Sequence, residues 1–312
     1  MTLRRPYTSL LVLITLFAAL QLGCGDGDAP LEVGTKDNNT TSTDQGSDKG
    51  GEQTAHVTTC SDVSSSSGEM KNQYDKRQIQ VEGSDKTYVL HTNWWNDEYY
   101  KTDPAGLPVA YNGLTFTVSN PNGIAVPPTV GAPIGYPSFY IGSYGGMSST
   151  GSNLPKKVSD IQSVPTALHT NASEVGYANK NASYDVWFTA GGDPLPSNQY
   201  SPGTGGAYLM VWLFMPSDRQ PRGGNAAPQH TVEGVDGQWD VWIDYTNPPC
   251  ISYVPVQPID GLDFDLNDFI RDSVENAYGI TDDMYLSIVF GGFEIWGGAD
   301  GYKIEEFCAS VN

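Results

Sequence analysis

Basic residues are in short supply: 16 Lys and Arg stand against 36 Asp and Glu in 312 residues, a formal charge of −20. That balance argues against a nucleic-acid binder and against electrostatic docking on anionic membranes, both of which need a basic surface, and it leaves uncharged ligands open. Histidine is equally sparse. His56, His91, His169 and His230 are scattered and no Cys-x-x-Cys occurs, so the pattern points to no metal and no cofactor. Long helix-forming runs are also few. Instead there are 35 Gly, 21 Pro and 11% aromatics, the composition of many short strands joined by turns.

The apolar run Leu10 to Leu20 is too short for a transmembrane helix. With Arg4 and Arg5 before it, residues 1–23 read as an export signal. Leu22-Gly23-Cys24 resembles the end of a bacterial lipobox, which makes Cys24 the expected acylation site and lipid anchor. Residues 24–58 are polar and nearly free of large apolar side chains, so they are expected to remain an unfolded tether. Of the three cysteines beyond Cys24, two are expected to pair and one to stay free; Cys60, Cys250 and Cys308 are all candidates.

From residue 59 to 312 one domain is expected, with no internal repeat. Strand-like runs recur at 87–90, 114–118, 138–141, 184–188, 208–214, 238–245, 250–256, 285–290 and 302–311. Turn dipeptides such as Asn112-Gly113 and Asp236-Gly237 separate them. This spacing predicts an all-β sandwich or jelly roll. One segment follows a different period: Leu266, Phe269, Ile270, Val274 and Ala277 share a helical face, Asp265 can cap the start, and Gly279 lies where the helix would stop. A single amphipathic helix packed on the sandwich is therefore expected.

Three runs carry more than fold. In Ser287 to Trp296 one carboxylate, Glu294, stands among apolar residues. Strand alternation puts it on the face of Gly292 and Trp296, where lost hydration would raise its pKa and suit it to proton donation; a Glu facing water at a strand end is the plainer alternative. Asn93-Trp94-Trp95 sets an amide beside two indoles, either a platform for sugar faces and hydroxyls or ordinary core packing. Tyr208 to Leu213 alternates strictly. Leu209, Val211 and Leu213 form a core face, while Tyr208, Met210 and Trp212 look like a cleft lining.

Asn93-x-Trp95, Tyr136-Pro137-Ser138, Gly151 to Pro155, Asn181 to Trp187, Leu209 to Trp212 and Gly292 to Gly298 occur in the order seen in glycoside hydrolase family 12, which this chain resembles from about Cys60 to Asn312. The resemblance implies a jelly roll of two antiparallel sheets with one helix and a long open cleft. It also implies cleavage of β-1,4-glucans, including cellulose, mixed-linkage glucan and xyloglucan, with retention. Glu294 matches the family's acid/base, and Asp185 matches an aspartate that supports the nucleophile. Asn93, Trp95, Met210, Trp212 and Trp296 match positions that hold sugar.

One position departs from the family. The nucleophilic Glu should stand four residues before Trp212, where this chain has Tyr208. A phenol is not ionised at neutral pH, so the exchange removes the usual attacking group. Three readings follow: Tyr208 attacks with Asp185 as its base; Asp185 or another acid activates water and the reaction inverts; or hydrolysis is lost and the cleft only binds. Ile288 and Phe290 share the Glu294 face, where polar residues would be expected in the family. Arg219 and Arg222 lie on a cleft-side loop, where they either meet substrate hydroxyls or are simply solvated. Asp236, Asp240 and Asp244, near Trp239 and Trp242, could suggest calcium binding or catalysis but read as the polar face of a strand. The expectation is a monomeric, surface-tethered glucan hydrolase, with a catalytically inactive glucan-binding lipoprotein as the alternative.

Overall fold

A computed structural model describes residues 61–96, 106–120, 123–127 and 131–312. The expected export signal, Cys24, the tether and Cys60 lie outside the described residues. Within them the chain builds two packed β-sheets, and all nine expected strand runs are found. The outer sheet runs in the order β1 (Ser67–Met70), β4 (Val109–Asn112), β5 (Thr115–Val118), β17 (Tyr302–Ala309), β9 (Pro165–Thr170) and β15 (Gly261–Asp265). The inner sheet runs β12 (Gly224–His230), β13 (Trp239–Asp244), β14 (Cys250–Pro255), β11 (Ala207–Trp212), β10 (Lys180–Thr189), β16 (Tyr285–Ile295), β6 (Ser138–Tyr144), β3 (Thr87–His91) and β2 (Lys76–Gln80). Two short pieces, β7 (Met147–Ser148) and β8 (Lys156–Lys157), pair with β6 and β16.

Every pairing in the inner sheet is antiparallel except one. After β11 the chain travels out to the sheet edge as β12, then returns through β13 and β14, so that β14 meets β11 in the parallel sense. Apolar residues from the two facing surfaces fill the space between the sheets. Phe139 stacks on Phe307 at 5.9 Å, Tyr88 meets Phe307 edge-on at 5.8 Å, and Tyr184 meets Phe264 at 5.3 Å. Gly291 permits this approach, since a Cβ there would come within 2.4 Å of the Phe307 ring.

The helix α2 (Leu266–Glu275) forms as its pattern predicts. Leu266, Phe269 and Ile270 are buried, and Phe269 packs edge-on against Trp239 and Tyr253, each at 4.9 Å. The Asp265 carboxylate caps it, accepting from Asn267 N at 2.9 Å and from Val164 N at 2.6 Å. The stop comes earlier than Gly279: Asn276 is the C-cap, and Ala277 takes the left-handed conformation with φ of 56°. A second helix, α1 (Ala172–Val175), is a single turn between β9 and β10 that carries no amphipathic period to announce it. Cys250 and Cys308 are each disulfide-bonded, and no described cysteine is free.

Candidate active site

The face of the inner sheet turned away from the core carries a second apolar cluster and the residues of interest. Alternation along β10 sends Asn181, Ser183, Asp185 and Trp187 to this face; along β11 it sends Tyr208, Met210 and Trp212, and along β16 Ile288, Phe290, Gly292 and Glu294. The register aligns Met210, Asp185 and Phe290 across three strands, and sets Asn181 opposite Glu294 and Tyr208 opposite Trp187. Ile288 and Phe290 do share the Glu294 face, as β16 stays regular there. Together with the 93–95 segment and the β6 hairpin these strands border a partly open pocket. Its lining is Asn93, Trp95, Tyr136, Tyr144, Asp185, Trp187, Tyr200, Met210, Phe290 and Glu294; two of these are acidic and none is basic.

The two acids are held differently. Glu294 is only 2% exposed, and its Oε2 accepts a hydrogen bond from Asn181 Nδ2 at 2.6 Å while its backbone N–H donates to Asn181 Oδ1 at 3.4 Å. The Asn181 amide thus grips both ends of the residue. Gly292 keeps the strand close to its neighbour, because a Cβ there would lie 2.2 Å from the Pro137 carbonyl oxygen. Asp185 is 4% exposed, and its Oδ1 is buried without a hydrogen-bond partner. Burial raises its pKa to about 7; the Trp187 indole nitrogen opposes that rise without reaching a well-formed hydrogen bond. Tyr136 sits near both acids. Its hydroxyl donates to the Ser183 carbonyl at 2.8 Å, and burial, followed by the charges of Asp185 and Glu294, holds its pKa well above the phenolic range.

Tyr208 lies beside this pocket and does not line it. Its ring is 4% exposed and meets Trp187 edge-on at 5.5 Å. Burial raises the phenol pKa and Asp185 adds to the rise, with Arg222 acting in the opposite sense. Arg222 is itself paired with Asp244 at 2.6 Å. That pairing replaces the simple solvation open to a loop arginine. Asp240, Trp242 and Asp244 form the less buried face of β13, as alternation predicts, whereas Asp236 lies in the exposed loop before the strand.

The remaining candidates divide. Asn93, Trp95 and Met210 line the pocket. Asn93 has a left-handed φ of 48° and a buried Oδ1 with no partner, so its side chain is held in place without a protein acceptor role fulfilled. Trp94, beside it in sequence, packs in the intersheet core. Trp212 is wholly buried on the pocket side of the sheet but does not reach the lining. Trp296 follows the last residue of β16 and belongs to the intersheet core; its indole N–H donates to Gly131 O at 2.6 Å, and the Arg219 guanidinium lies over its ring at 5.6 Å. Cys24, the expected lipidation site, lies outside the described residues.

Sequence reasoning gave no site role to Tyr136, Asn181, Trp187 or Phe290, although each falls in a run it singled out, and it passed over Tyr144 and Tyr200. Asn181 and Trp187 were recoverable in principle, since both stand an even number of residues from Asp185 on a strand and so share its face. Tyr144 and Tyr200 come together, at 5.9 Å between ring centres, only because the loop before β11 folds over the β6 hairpin. No local pattern encodes that contact. Among the described residues no group of three or more His, Cys, Asp or Glu is placed to hold a metal. The arrangement offers one carboxyl gripped by an amide, a second with an unclaimed oxygen, and aromatic walls suited to the apolar faces of sugars.

Comparison with known proteins identifies the family. The family model for glycosyl hydrolase family 12 matches residues 86–312. A protein of Mycobacterium tuberculosis described as a probable cellulase, Cel12b, is 31% identical over 163 residues, 52% of this chain and 99% of that one. Endoglucanase S of Pectobacterium parmentieri is 25% identical over 247 residues, 73% of this chain and 83% of that one. Among solved structures, endoglucanase cel12A from Rhodothermus marinus superposes with a TM-score of 0.65 at 27% identity, covering 78% of this chain and 99% of that one.

Proposed function

Because the chain belongs to glycosyl hydrolase family 12, we propose that it cleaves β-1,4-linked glucan internally, with cellulose, mixed-linkage glucan and xyloglucan as the candidate polymers. The observation that supports this best is the pairing of Glu294 and Asp185 as the two acids of one aromatic-walled pocket. Glu294, steadied by Asn181, serves as proton donor to the leaving oxygen. Trp95 and Met210 give the sugar an apolar surface, and the open Oδ1 of Asn93 accepts from a hydroxyl. Trp212 and Trp296 hold the strands behind this surface, through packing and not through contact. Tyr208 occupies the place of the family's nucleophile, with Asp185 beside it.

A second reading, a glucan-binding protein without turnover, draws on Tyr208 itself, whose buried phenol supplies no carboxylate at neutral pH. Incubating the domain with carboxymethyl-cellulose, mixed-linkage glucan and xyloglucan, and measuring reducing ends beside binding, separates the two. New reducing ends that disappear in Glu294→Gln support hydrolysis. Binding with no new reducing ends in the wild type leaves the binding protein. Export, with acylation at Cys24 holding a monomeric domain at the cell envelope on the tether of residues 24–58, completes the proposal.

A further inference from the structure

We infer that Trp242, with Asn225 beside it, is a second sugar platform outside the pocket, which holds the far end of an uncharged glucan chain and makes the protein select long chains over short ones. The inference rests on the reading of the pocket as a glucan site, and it holds whether or not the bound chain is cut. Its starting point is a ring left partly in water. The strand β13 carries two tryptophans. Trp239 faces the intersheet core and packs edge-on against Phe269 at 4.9 Å. Trp242 faces the other way: it is half-buried and packs against the apolar cluster of the pocket face, as Trp95 does on the opposite flank of that cluster. The burial that Trp239 obtains from the core, Trp242 would obtain by stacking on the C–H face of a sugar.

Strand register places this ring in line with the pocket. Phe290, Asp185 and Met210 form a row across β16, β10 and β11, and the same row continues through Ser252 on β14 to Trp242 on β13 and Asn225 on the edge strand β12. Cross-strand partners share one face of a sheet, so all of these belong to the pocket face. The pocket itself extends in this direction, from Asn93 and Trp95 beyond β3 to Met210 on β11. There its lining stops, and the residue between Met210 and Trp242 is the small Ser252. From Asp185 to Trp242 are three strand spacings, about 14 Å, which is the length of about three β-1,4-linked glucosyl units. A chain laid along the row reaches both.

The neighbours of Trp242 select the ligand. Asn225 is exposed and offers an amide that donates to and accepts from hydroxyls, repeating the pairing of indole and amide seen at Trp95 and Asn93. The residues flanking Trp242 on its own face are Asp240 and Asp244. Asp240 accepts from the Gln229 N–H at 2.9 Å and Asp244 holds Arg222 at 2.6 Å, so both carboxylates are fixed while keeping lone pairs for sugar hydroxyls. Two carboxylates against one arginine repel a uronate or a sulfated chain and accept a neutral one.

Titrating cellohexaose and cellotriose into the protein carrying Glu294→Gln, so that turnover does not intervene, tests this. The hexasaccharide is expected to bind about tenfold tighter than the trisaccharide. Adding Trp242→Ala is expected to weaken the hexasaccharide about tenfold and the trisaccharide less than about twofold, whereas adding Trp95→Ala, in the pocket, weakens both. Trp242→Phe keeps a stacking ring and should retain most of the affinity. Asn225→Ala, at an exposed position on the edge strand, should cost about threefold for the hexasaccharide alone. Equal weakening of both ligands by Trp242→Ala, or an Asn225→Ala variant that binds both as its parent does, overturns the platform while the glucan reading stands. No binding of either ligand by the parent overturns both.

Discussion

Replacing Tyr208 by Glu installs the carboxylate that the sequence resemblance leads one to expect there, and its cost follows from the surroundings. The ring is almost completely buried and packed edge-on against Trp187 at 5.5 Å. Losing that contact costs about 0.5–1.5 kcal/mol, and the smaller apolar area costs roughly 1–2 kcal/mol more. The new carboxyl also needs a partner. Arg222 is committed to Asp244, and Asp185 repels a second negative charge. The group is therefore expected to keep its proton well above the usual carboxylate range, which limits the penalty at acid pH and exposes it fully at alkaline pH. The sum is a destabilisation of about 2–4 kcal/mol, a drop in Tm of roughly 5–15 °C for a domain of this size. Thermal unfolding at pH 5 and pH 8 reads it, with the larger drop at pH 8. An unchanged Tm, or a larger drop at pH 5, would refute the packing and charge argument. Any turnover gained through a new nucleophile would deliver the β-anomer first.

Other outcomes follow from the same geometry. Asp185 has a folded pKa of about 7, above its unfolded value, so the native state holds the extra proton between about pH 4 and pH 7 and stability falls as pH rises through that window. Asp185→Asn escapes this loss, and its stability relative to wild type should improve by up to about 4 kcal/mol between pH 4 and pH 8; a difference independent of pH contradicts the assignment. Trp95 is half-buried at the pocket wall, and Trp95→Ala should raise KM for polymeric glucan about tenfold, an effect of roughly 1–2 kcal/mol, with kcat nearly unchanged. Asp265→Ala removes an acceptor from two backbone N–H groups and should cost about 1–2 kcal/mol, seen as a lower urea midpoint with kcat intact.

The parts of the fold that could be read from residues are those where burial imposes a period. Tyr208 to Leu213 alternates because Leu209, Val211 and Leu213 face the intersheet core and Tyr208, Met210 and Trp212 the opposite side, although of the second set only Met210 reaches the pocket lining. The helix was legible through Leu266, Phe269 and Ile270, although its end was set by Ala277 and not by Gly279. β12 was not legible: Gly224–His230 is an edge strand with exposed side chains, a proline and two register shifts, so no face needed to be apolar. At the site, Glu294 stood out by its apolar flanks. Its partner Asn181 did not, because a hydrogen bond between residues 113 positions apart leaves no local trace. Trp296 shows the limit of alternation, which fails once β16 ends at Ile295 and the chain turns the indole into the core.

The central claim is that Glu294 donates the proton to the departing sugar, and leaving-group dependence tests it most directly. For Glu294→Gln, kcat/KM on a β-1,4-glucan is expected to fall about 10²- to 10⁴-fold, because an alkoxide cannot leave without a proton. On a dinitrophenyl β-cellobioside, whose leaving group needs no proton, the same variant should lose less than tenfold. Equal losses on both substrates, or full activity on the glucan, would contradict the account.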